Sequence, residues 1–241
     1  MMNKFKPLLI IFLMTLLYGC AGKLANQTYN DHKISDPLEP VNRSLFTFNV
    51  ILDLAIVRPV ATGYAYITPP FFRDRASSFV SNLSEPSNFI NNLLQWKLKR
   101  SFTSLARFTV NSTLGLGGLF DIMSRSGVPS YPEDFGQTLG YWGFKPGAYI
   151  YLPILGPSTV RDTIGRIGDF LTLSPQNLLS NSEDQVGVTV ISVVEARADL
   201  LPLDSVLERQ LNIYNFLRNG YEQTRINNIF DGNPPEQEED F

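Results

Sequence analysis

Residues 133–162 restrict the possible folds of this chain more than any other segment, because they combine many apolar side chains with frequent backbone breakers. Five glycines and three prolines interrupt the segment: Gly136, Gly140, Gly143, Gly147, Gly156, Pro146, Pro153 and Pro157. A surface loop of this length is normally polar. Irregular backbone with apolar side chains is stable where protein buries it, or where it lines a cavity at membrane depth. The segment therefore predicts either a buried structural loop or the wall of a site for an amphiphile.

Residues 1–19 predict a bacterial export signal. Lys4 and Lys6 precede an apolar run from Leu8 to Leu17, which is too short to span a membrane. Residues 17–20 read Leu-Tyr-Gly-Cys and resemble a lipobox, in which the cysteine is diacylated and becomes the first residue after cleavage. We therefore expect a signal peptide over residues 1–19 and lipid attachment at Cys20.

Cys20 is the only cysteine, which excludes a disulfide within the chain and a zinc site built from several thiolates. Ala21 follows it in place of aspartate, which resembles sorting to the outer membrane. The net charge of −3 becomes about −5 once Lys4 and Lys6 are removed, so bulk charge argues against nucleic-acid binding. Residues 20–35 are polar and aperiodic, which predicts a lipidated tether, and the acidic residues 232–241 predict a disordered tail.

A helix is predicted over residues 36–57. Asp36 can cap it, Pro37 suits the first turn, and the proline at position 59 disfavours its continuation. Asn42, Asn49 and Asp53 fall on one narrow stripe, whereas the rest of the helix is apolar. Such a helix is buried either in protein or in lipid. Because its polar residues would be costly in a simple span, we expect it to lie within one leaflet and pack on its neighbours.

Further helices are predicted over residues 71–82, 86–96, 101–113 and 182–200, with an amphipathic helix from Asp204 onward and Pro86 marking a start. Basic residues gather in the region that holds the first three of these helices, where they suit either solvated helix faces or lipid headgroups. They are Arg73, Arg75, Lys97, Lys99, Arg100 and Arg107.

The segment Gly115-Leu116-Gly117-Gly118-Leu119-Phe120 does not fit a phosphate-binding loop. Phe120 replaces the third glycine of a dinucleotide fingerprint, and the Lys-Ser/Thr pair of a P-loop does not follow. Glycines between leucines favour either close helix packing or a mobile apolar element that contacts lipid.

A lipid-cleaving enzyme is not expected. The only histidine, His32, falls in the predicted tether outside the fold, which excludes an ordinary Ser-His-Asp arrangement. The sequence around Ser158 lacks the second glycine of a nucleophile elbow. Glu133 and Asp134 are adjacent, and neighbouring acids seldom face each other across a bond. We expect no catalytic residues, cofactor or metal.

The chain resembles the VacJ/MlaA lipoprotein family along nearly its whole mature length. The segments that carry the resemblance are DPLEPVNR at residues 36–43, RPVA at 58–61, NLSEP at 82–86, RFTVNSTLG at 107–115, EDFGQTLG at 133–140 and LPILGPS at 152–158. This resemblance implies an all-α, ring-like protein, anchored on the periplasmic side of the outer membrane and embedded in its inner leaflet. It also implies an amphipathic channel, a trimeric porin as companion, and transfer of mislocalised outer-leaflet phospholipid to the periplasmic carrier MlaC.

With that function as the expectation, the ring-like helical body covers residues 36–231 and surrounds a lipid path. The candidate path residues are Asn42, Asn49, Asp53, Gly115, Gly117, Gly118, Tyr141 and Trp142. A structural lipoprotein that braces porins or the envelope is the alternative, and in that case the glycine and aromatic segments serve packing alone.

Overall fold

The computed structural model describes residues 27–172 and 182–236. This part of the chain is mostly helical and contains one two-stranded hairpin, which confirms the predicted all-α class. Its helices are α1 (Glu39–Leu52), α2 (Arg58–Ile67), α3 (Pro70–Leu94), α4 (Leu98–Thr113), α5 (Ile122–Arg125), α6 (Phe135–Tyr141), α7 (Val160–Thr172), α8 (Ser182–Leu200), α9 (Asp204–Leu207) and α10 (Ile213–Ile229). The strands are β1 (Tyr149–Leu152) and β2 (Gly156–Thr159), and short 3-10 turns cover Tyr29–His32 and Leu201–Leu203.

Helices α1 and α2 form one continuous helix, so the predicted end near residue 57 is wrong. A π-helical turn, Asp53–Val57, joins them, and the N–H of Arg58 donates to the carbonyl of Asp53 five residues earlier. The wider turn makes room for Pro59, whose ring a regular α-helical turn would not accommodate. The chain therefore stays helical as far as Ile67.

Helix α3 also passes through a proline, since Pro86 lies inside Pro70–Leu94. The prediction of two helices over residues 71–82 and 86–96 is therefore wrong. Buried side chains on both sides of Pro86, including Asn82, Glu85 and Asn88, lie along the helix. Tertiary packing of this face outweighs the backbone hydrogen bond that proline removes.

The buried surfaces of α3 and α4 are largely polar, and many of their large apolar side chains are exposed. Buried polar residues are Asn82, Glu85, Ser87, Asn88, Asn91 and Asn92 on α3, with Ser101, Ser104, Arg107 and Asn111 on α4. Exposed apolar residues on the same helices are Phe71, Phe72, Leu93, Leu98, Phe102 and Leu105. A water-soluble helical protein shows the opposite arrangement. This part of the molecule is built for apolar surroundings and a polar interior.

The continuous helix Glu39–Ile67 extends the apolar exterior. Among the described residues it is the one helix that is long and apolar enough to cross a membrane, and almost none of its apolar stretch is buried. The exposed apolar residues along it are Val41, Phe48, Val50, Ile51, Leu54, Ile56, Val60, Tyr66 and Ile67. This surface supports the predicted contact with lipid.

Residues 133–162 are more regular than the sequence predicted, because they contain α6, the hairpin and the start of α7. The side chain of Asp134 caps α6 by accepting the N–H of Gln137. In the hairpin Tyr149 pairs with Thr159 and Leu152 pairs with Gly156. Side chains on α1 also form hydrogen bonds with the hairpin backbone. The positions of glycine and proline in the sequence do not predict these distant partners.

The predicted tether over residues 20–35 is corrected at its C-terminal end. Tyr29 and His32 are buried, and Tyr29 packs with Ile226, Ile229 and Phe230 at the end of α10. The prediction that His32 lies outside the fold is therefore wrong, because its ring is buried and lies edge to face on Phe230, 5.2 Å between centroids. The predicted signal peptide, Cys20 and the end of the acidic tail lie outside the described residues.

The helix predicted from Asp204 onward is two helices, α9 and α10. The side chain of Asn212 caps α10 by accepting the N–H of Asn215. This cap starts a new helix at a point where the apolar spacing by itself continued without a break.

Candidate functional site

Asn42 and Asn49 attach the hairpin to α1. The Asn42 amide donates to the carbonyl of Tyr149 (3.0 Å) and accepts the N–H of Tyr151 (2.9 Å). Asn49, two turns further on, donates to the carbonyl of Leu152 (2.9 Å) and accepts the N–H of Ile154 (2.9 Å). Side chains seven residues apart on a helix share a face, so the pair holds successive parts of one extended strand. Both amides bind protein, and in this way they place the hairpin against α1.

Asp53 forms an ion pair with α8. The guanidinium of Arg197 donates to both oxygens of Asp53 (2.7 and 3.0 Å) and also binds Asp204 (2.9 Å). Arg58 binds Asp204 from the other side (3.0 Å). The predicted polar stripe of the first helix therefore faces protein along its length, and Asp53 links the π-helical turn to α8 and α9.

The glycine turn, defined here as residues 115–118, follows α4 and contains two packed glycines. A Cβ at Gly115 would collide with the carbonyl oxygens of Phe120 and Asn111, and a Cβ at Gly118 would meet the Asn82 amide nitrogen at 2.5 Å. Nothing lies within 4 Å of a Cβ at Gly117. Gly117 and Gly118 both have positive φ, of 73° and 94°. Close packing therefore explains Gly115 and Gly118, whereas Gly117 is required for its backbone conformation only.

Arg107 organises the base of the glycine turn. Its guanidinium donates to Glu85 (2.6 Å), to Asp121 (2.8 Å) and to the carbonyl of Val128 (2.8 Å). Burial alone would raise the pKa of Asp121, but hydrogen bonds from Ser124 and Arg107 outweigh it and lower this pKa to about 2. The partly buried carboxylate of Asp121 is therefore ionised and paired.

Sequence reasoning placed Arg107 among surface bases, although it is only 1% exposed. A signal was present in the spacing of Ser104, Arg107 and Asn111, which fall three and four residues apart on one face of α4. In a helix with an apolar exterior, that polar face is the buried one.

A second cluster of charges joins α6, α7 and α10. Arg225 donates to both oxygens of Asp134 (2.6 Å each) and to Oδ1 of Asp162 (3.1 Å). The other oxygen of Asp162 accepts the hydroxyl of Tyr221 (2.6 Å). Burial alone would raise the pKa of both carboxyl groups. Hydrogen bonds and the charge of Arg225 outweigh it at Asp134 and lower that pKa, and the charges of Arg225 and Arg161 lower the pKa of Asp162. Sequence reasoning missed Arg225, since its partners lie far away in the chain.

Tyr141 and Trp142 end α6, and each has a partner. Trp142 is buried and its indole N–H donates to the carbonyl of Leu94 (3.1 Å). The ring of Tyr141 lies 5.5 Å from the ammonium nitrogen of Lys97. These contacts dock α6 on the end of α3.

The residues considered for catalysis are held in structural roles. Ser158 is fully buried, and its hydroxyl lies 3.0 Å from that of Thr163. His32 Nε2 lies 2.6 Å from the amide oxygen of Gln27, and burial lowers the pKa of this imidazole to about 4. Glu133 accepts from Lys97 (2.9 Å), so it and Asp134 bind different partners. Among the described residues, no cluster of three or more His, Cys, Asp or Glu side chains is arranged to hold a metal ion.

Known proteins are similar to this chain in sequence and in fold. The model of the MlaA lipoprotein family matches residues 34–228. An Escherichia coli K12 protein named intermembrane phospholipid transport system lipoprotein MlaA is 35% identical, over 87% of this chain and 82% of its own length. The chain belongs to the MlaA lipoprotein family. Its Haemophilus influenzae relative of the same name is 30% identical, over 98% of this chain and 95% of the relative.

The chain is also similar to a rickettsial protein and to a solved structure. An uncharacterized protein of Rickettsia conorii is 37% identical, over 80% of this chain and 77% of its own length. A solved structure concerned with the structural basis for maintenance of bacterial outer membrane lipid asymmetry matches with a TM-score of 0.73 and 35% identity. That match covers 83% of this chain and all of the other.

The glycine turn of this MlaA-family chain provides a matched pair of substitutions. We expect Gly118→Ala to lower the free energy of unfolding by about 2 kcal/mol more than Gly117→Ala does. Both substitutions place a side chain on a backbone with positive φ, but only the Cβ added at position 118 collides with Asn82. Thermal unfolding of the purified protein in detergent measures the difference. Equal stabilities of the two variants would contradict the packing role of Gly118.

Proposed function

We propose that this chain is an outer-membrane lipoprotein that transfers intact phospholipids between membranes and so maintains the lipid asymmetry of the outer membrane. The names of the MlaA relatives and the subject of the matching structure support this. Phospholipids mislocalised in the outer leaflet are its substrates. The observation that carries the proposal is the polar interior of α3 and α4 beneath an apolar exterior.

The polar interior lowers the cost of moving a headgroup. A charged group that enters apolar surroundings without partners loses on the order of tens of kcal/mol of solvation, and polar partners offset much of that loss. Amide and hydroxyl groups lie on the buried faces of α3 and α4, whereas Phe48, Ile51 and Leu54 on the helix Glu39–Ile67 are exposed. A lipid that passes along such a body keeps its acyl chains against apolar surface and its headgroup near polar atoms.

The location of the protein is the inner leaflet of the outer membrane, on the periplasmic side, with Cys20 acylated as the anchor. The exposed apolar surface of Glu39–Ile67 supports embedding. A trimeric porin is the proposed membrane companion, and the soluble carrier MlaC the proposed acceptor. Mass spectrometry of the mature N-terminus tests the anchor, and an unmodified Cys20 would contradict it.

The predicted path residues divide into two roles in this proposal. The glycine turn and the α6 end at Tyr141 and Trp142 border the path. Asn42, Asn49 and Asp53 hold the hairpin and α8 in place around it, since their side chains bind protein groups. Their contribution to transfer is therefore through the shape of the body.

The chain moves lipid and cleaves none. Ser158 is buried against Thr163, and the hydrogen-bonding partner of the His32 ring is Gln27. Neither arrangement provides an activated nucleophile at a surface that a lipid ester can reach.

Transfer from liposomes tests the proposal. Purified acylated protein, reconstituted with fluorescent phospholipid, should deliver intact lipid to added MlaC and release no fatty acid or lysophospholipid, with or without divalent metal. Hydrolysis that disappears in Ser158→Ala would indicate a lipase. Folded protein that neither binds nor transfers lipid would indicate the structural lipoprotein instead.

A further inference from the structure

Two guanidinium groups lie near the same aromatic ring, that of Phe120, beside the glycine turn. The Cζ atom of Arg75 lies 4.8 Å from the centroid of the Phe120 ring, and that of Arg125 lies 5.9 Å from the same centroid. Arg75 also lies 5.2 Å from the ring of Phe71. Arg75 comes from α3 and Arg125 from α5, so the fold brings cations from separate parts of the chain to one ring.

No carboxylate among the described residues forms an ion pair with Arg75 or Arg125. The neighbouring Arg107, by contrast, binds both Glu85 and Asp121. Asp121 is also fully occupied, because Asn111 and Ser124 donate to it as well. Within the described residues, the two cations near Phe120 therefore contact aromatic rings but no carboxylate.

Arg75 in particular has unused hydrogen-bonding capacity. Its Nε and Nη1 atoms are buried and have no hydrogen-bond partner. The faces of aromatic rings attract a guanidinium but satisfy it only in part. A buried N–H without an acceptor costs free energy, and a bound anion would recover it.

The surface around these cations is apolar. Exposed apolar side chains at the start of α3 and in the segment that follows α4 are Phe71, Phe72, Leu114, Leu116 and Leu119. A free phosphate ion gains nothing from such neighbours. A ligand with an anionic group and long apolar chains matches both parts of the surface.

We propose that Arg75 and Arg125 bind the phosphodiester group of a phospholipid whose acyl chains lie on the apolar side chains around the glycine turn. This assignment rests on the proposed lipid-transfer function and adds a headgroup site to it. The site selects for negative charge, so phosphatidylglycerol binds more tightly than phosphatidylcholine, whose ammonium group is repelled by the same arginines.

Binding of acyl-labelled fluorescent phosphatidylglycerol to the full acylated protein in dodecyl maltoside tests the site. We expect Arg75→Gln/Arg125→Gln to raise Kd by roughly tenfold or more, since two charge-assisted hydrogen-bond donors are lost. Lys33→Gln/Arg209→Gln removes the same charge from exposed positions without ion pairs, and should leave Kd within about twofold. Arg75→Lys/Arg125→Lys keeps the charge and should retain the preference for phosphatidylglycerol over phosphatidylcholine.

The possible outcomes distinguish a wrong headgroup site from a wrong lipid-transfer function. If wild-type protein binds the lipid and the Gln double variant binds equally well, the headgroup site is wrong while the transfer function stands. If the wild type binds no phospholipid, the function itself fails. Displacement of the lipid by inorganic phosphate would overturn the assignment to a lipid. Should the double variant not fold, Arg125→Gln alone changes an exposed residue, and an unchanged Kd for it would overturn the proposal.

Discussion

Arg107→Met is expected to lower the free energy of unfolding by about 3–5 kcal/mol. The substitution leaves Glu85, which is fully buried, without its cation, and it also releases Asp121 and the carbonyl of Val128. Methionine fills part of the space of the arginine with an uncharged side chain, so the loss combines the uncompensated carboxylate with a smaller packing contribution. Thermal unfolding followed by circular dichroism in detergent measures the effect.

Two further variants isolate the buried carboxylate. Arg209→Met removes an exposed arginine without an ion pair and should change stability by less than about 0.5 kcal/mol. Glu85→Gln combined with Arg107→Met should recover part of the loss, because no buried charge remains. If the single Arg107→Met variant unfolds at the wild-type temperature, the polar interior is not held by this pair.

Gly165→Ala is expected to cost about 3 kcal/mol or more, which is at or beyond the usual upper limit for overpacking. The added Cβ would lie 2.5 Å from the Cα of Gly136 and nearer still to its backbone nitrogen. Because both atoms belong to the backbone of α6, no side-chain rotation relieves the contact, and α6 must separate from α7. That movement also strains the Arg225 cluster, since Asp134 and Asp162 lie on either side of this contact.

Gly220→Ala is the matched control for Gly165→Ala. Gly220 lies in α10, and nothing is within 4 Å of its added Cβ. The change should stabilise the helix by about 0.5–1 kcal/mol through reduced backbone freedom in the unfolded chain. Equal unfolding temperatures for the two variants would show that the close approach of α6 and α7 is not a constraint.

Secondary structure was predicted most accurately where neighbouring residues determine it. Ser182–Leu200 was predicted with its observed bounds, because acids cap its start and Pro202 ends it. Local rules failed at Pro59 and Pro86, where a π-helical turn and packing against α4 outweigh the preference of proline to end a helix. The hairpin was missed for the same reason, since α1 supplies partners for its backbone.

The candidate site was predictable as a set of residue types but not as a set of contacts. The polar stripe of Asn42, Asn49 and Asp53 was visible from helical spacing, yet the hairpin partners lie more than 100 residues away in sequence. Arg107 was misread as a surface base because a single sequence does not show which face of α4 is buried. Gly118 has a packing partner, Asn82, that only the fold identifies.

The central claim is that the apolar exterior of this protein lies in lipid. Because we expect the only cysteine, Cys20, to be acylated, an introduced cysteine is a unique site for a fluorophore. Bimane on Ile51→Cys, where the native side chain is 61% exposed, is compared with bimane on Asn219→Cys, an exposed polar position on α10. In liposomes with brominated phospholipids, we predict strong quenching at position 51 and little at position 219. Equal, weak quenching at both positions would contradict the account.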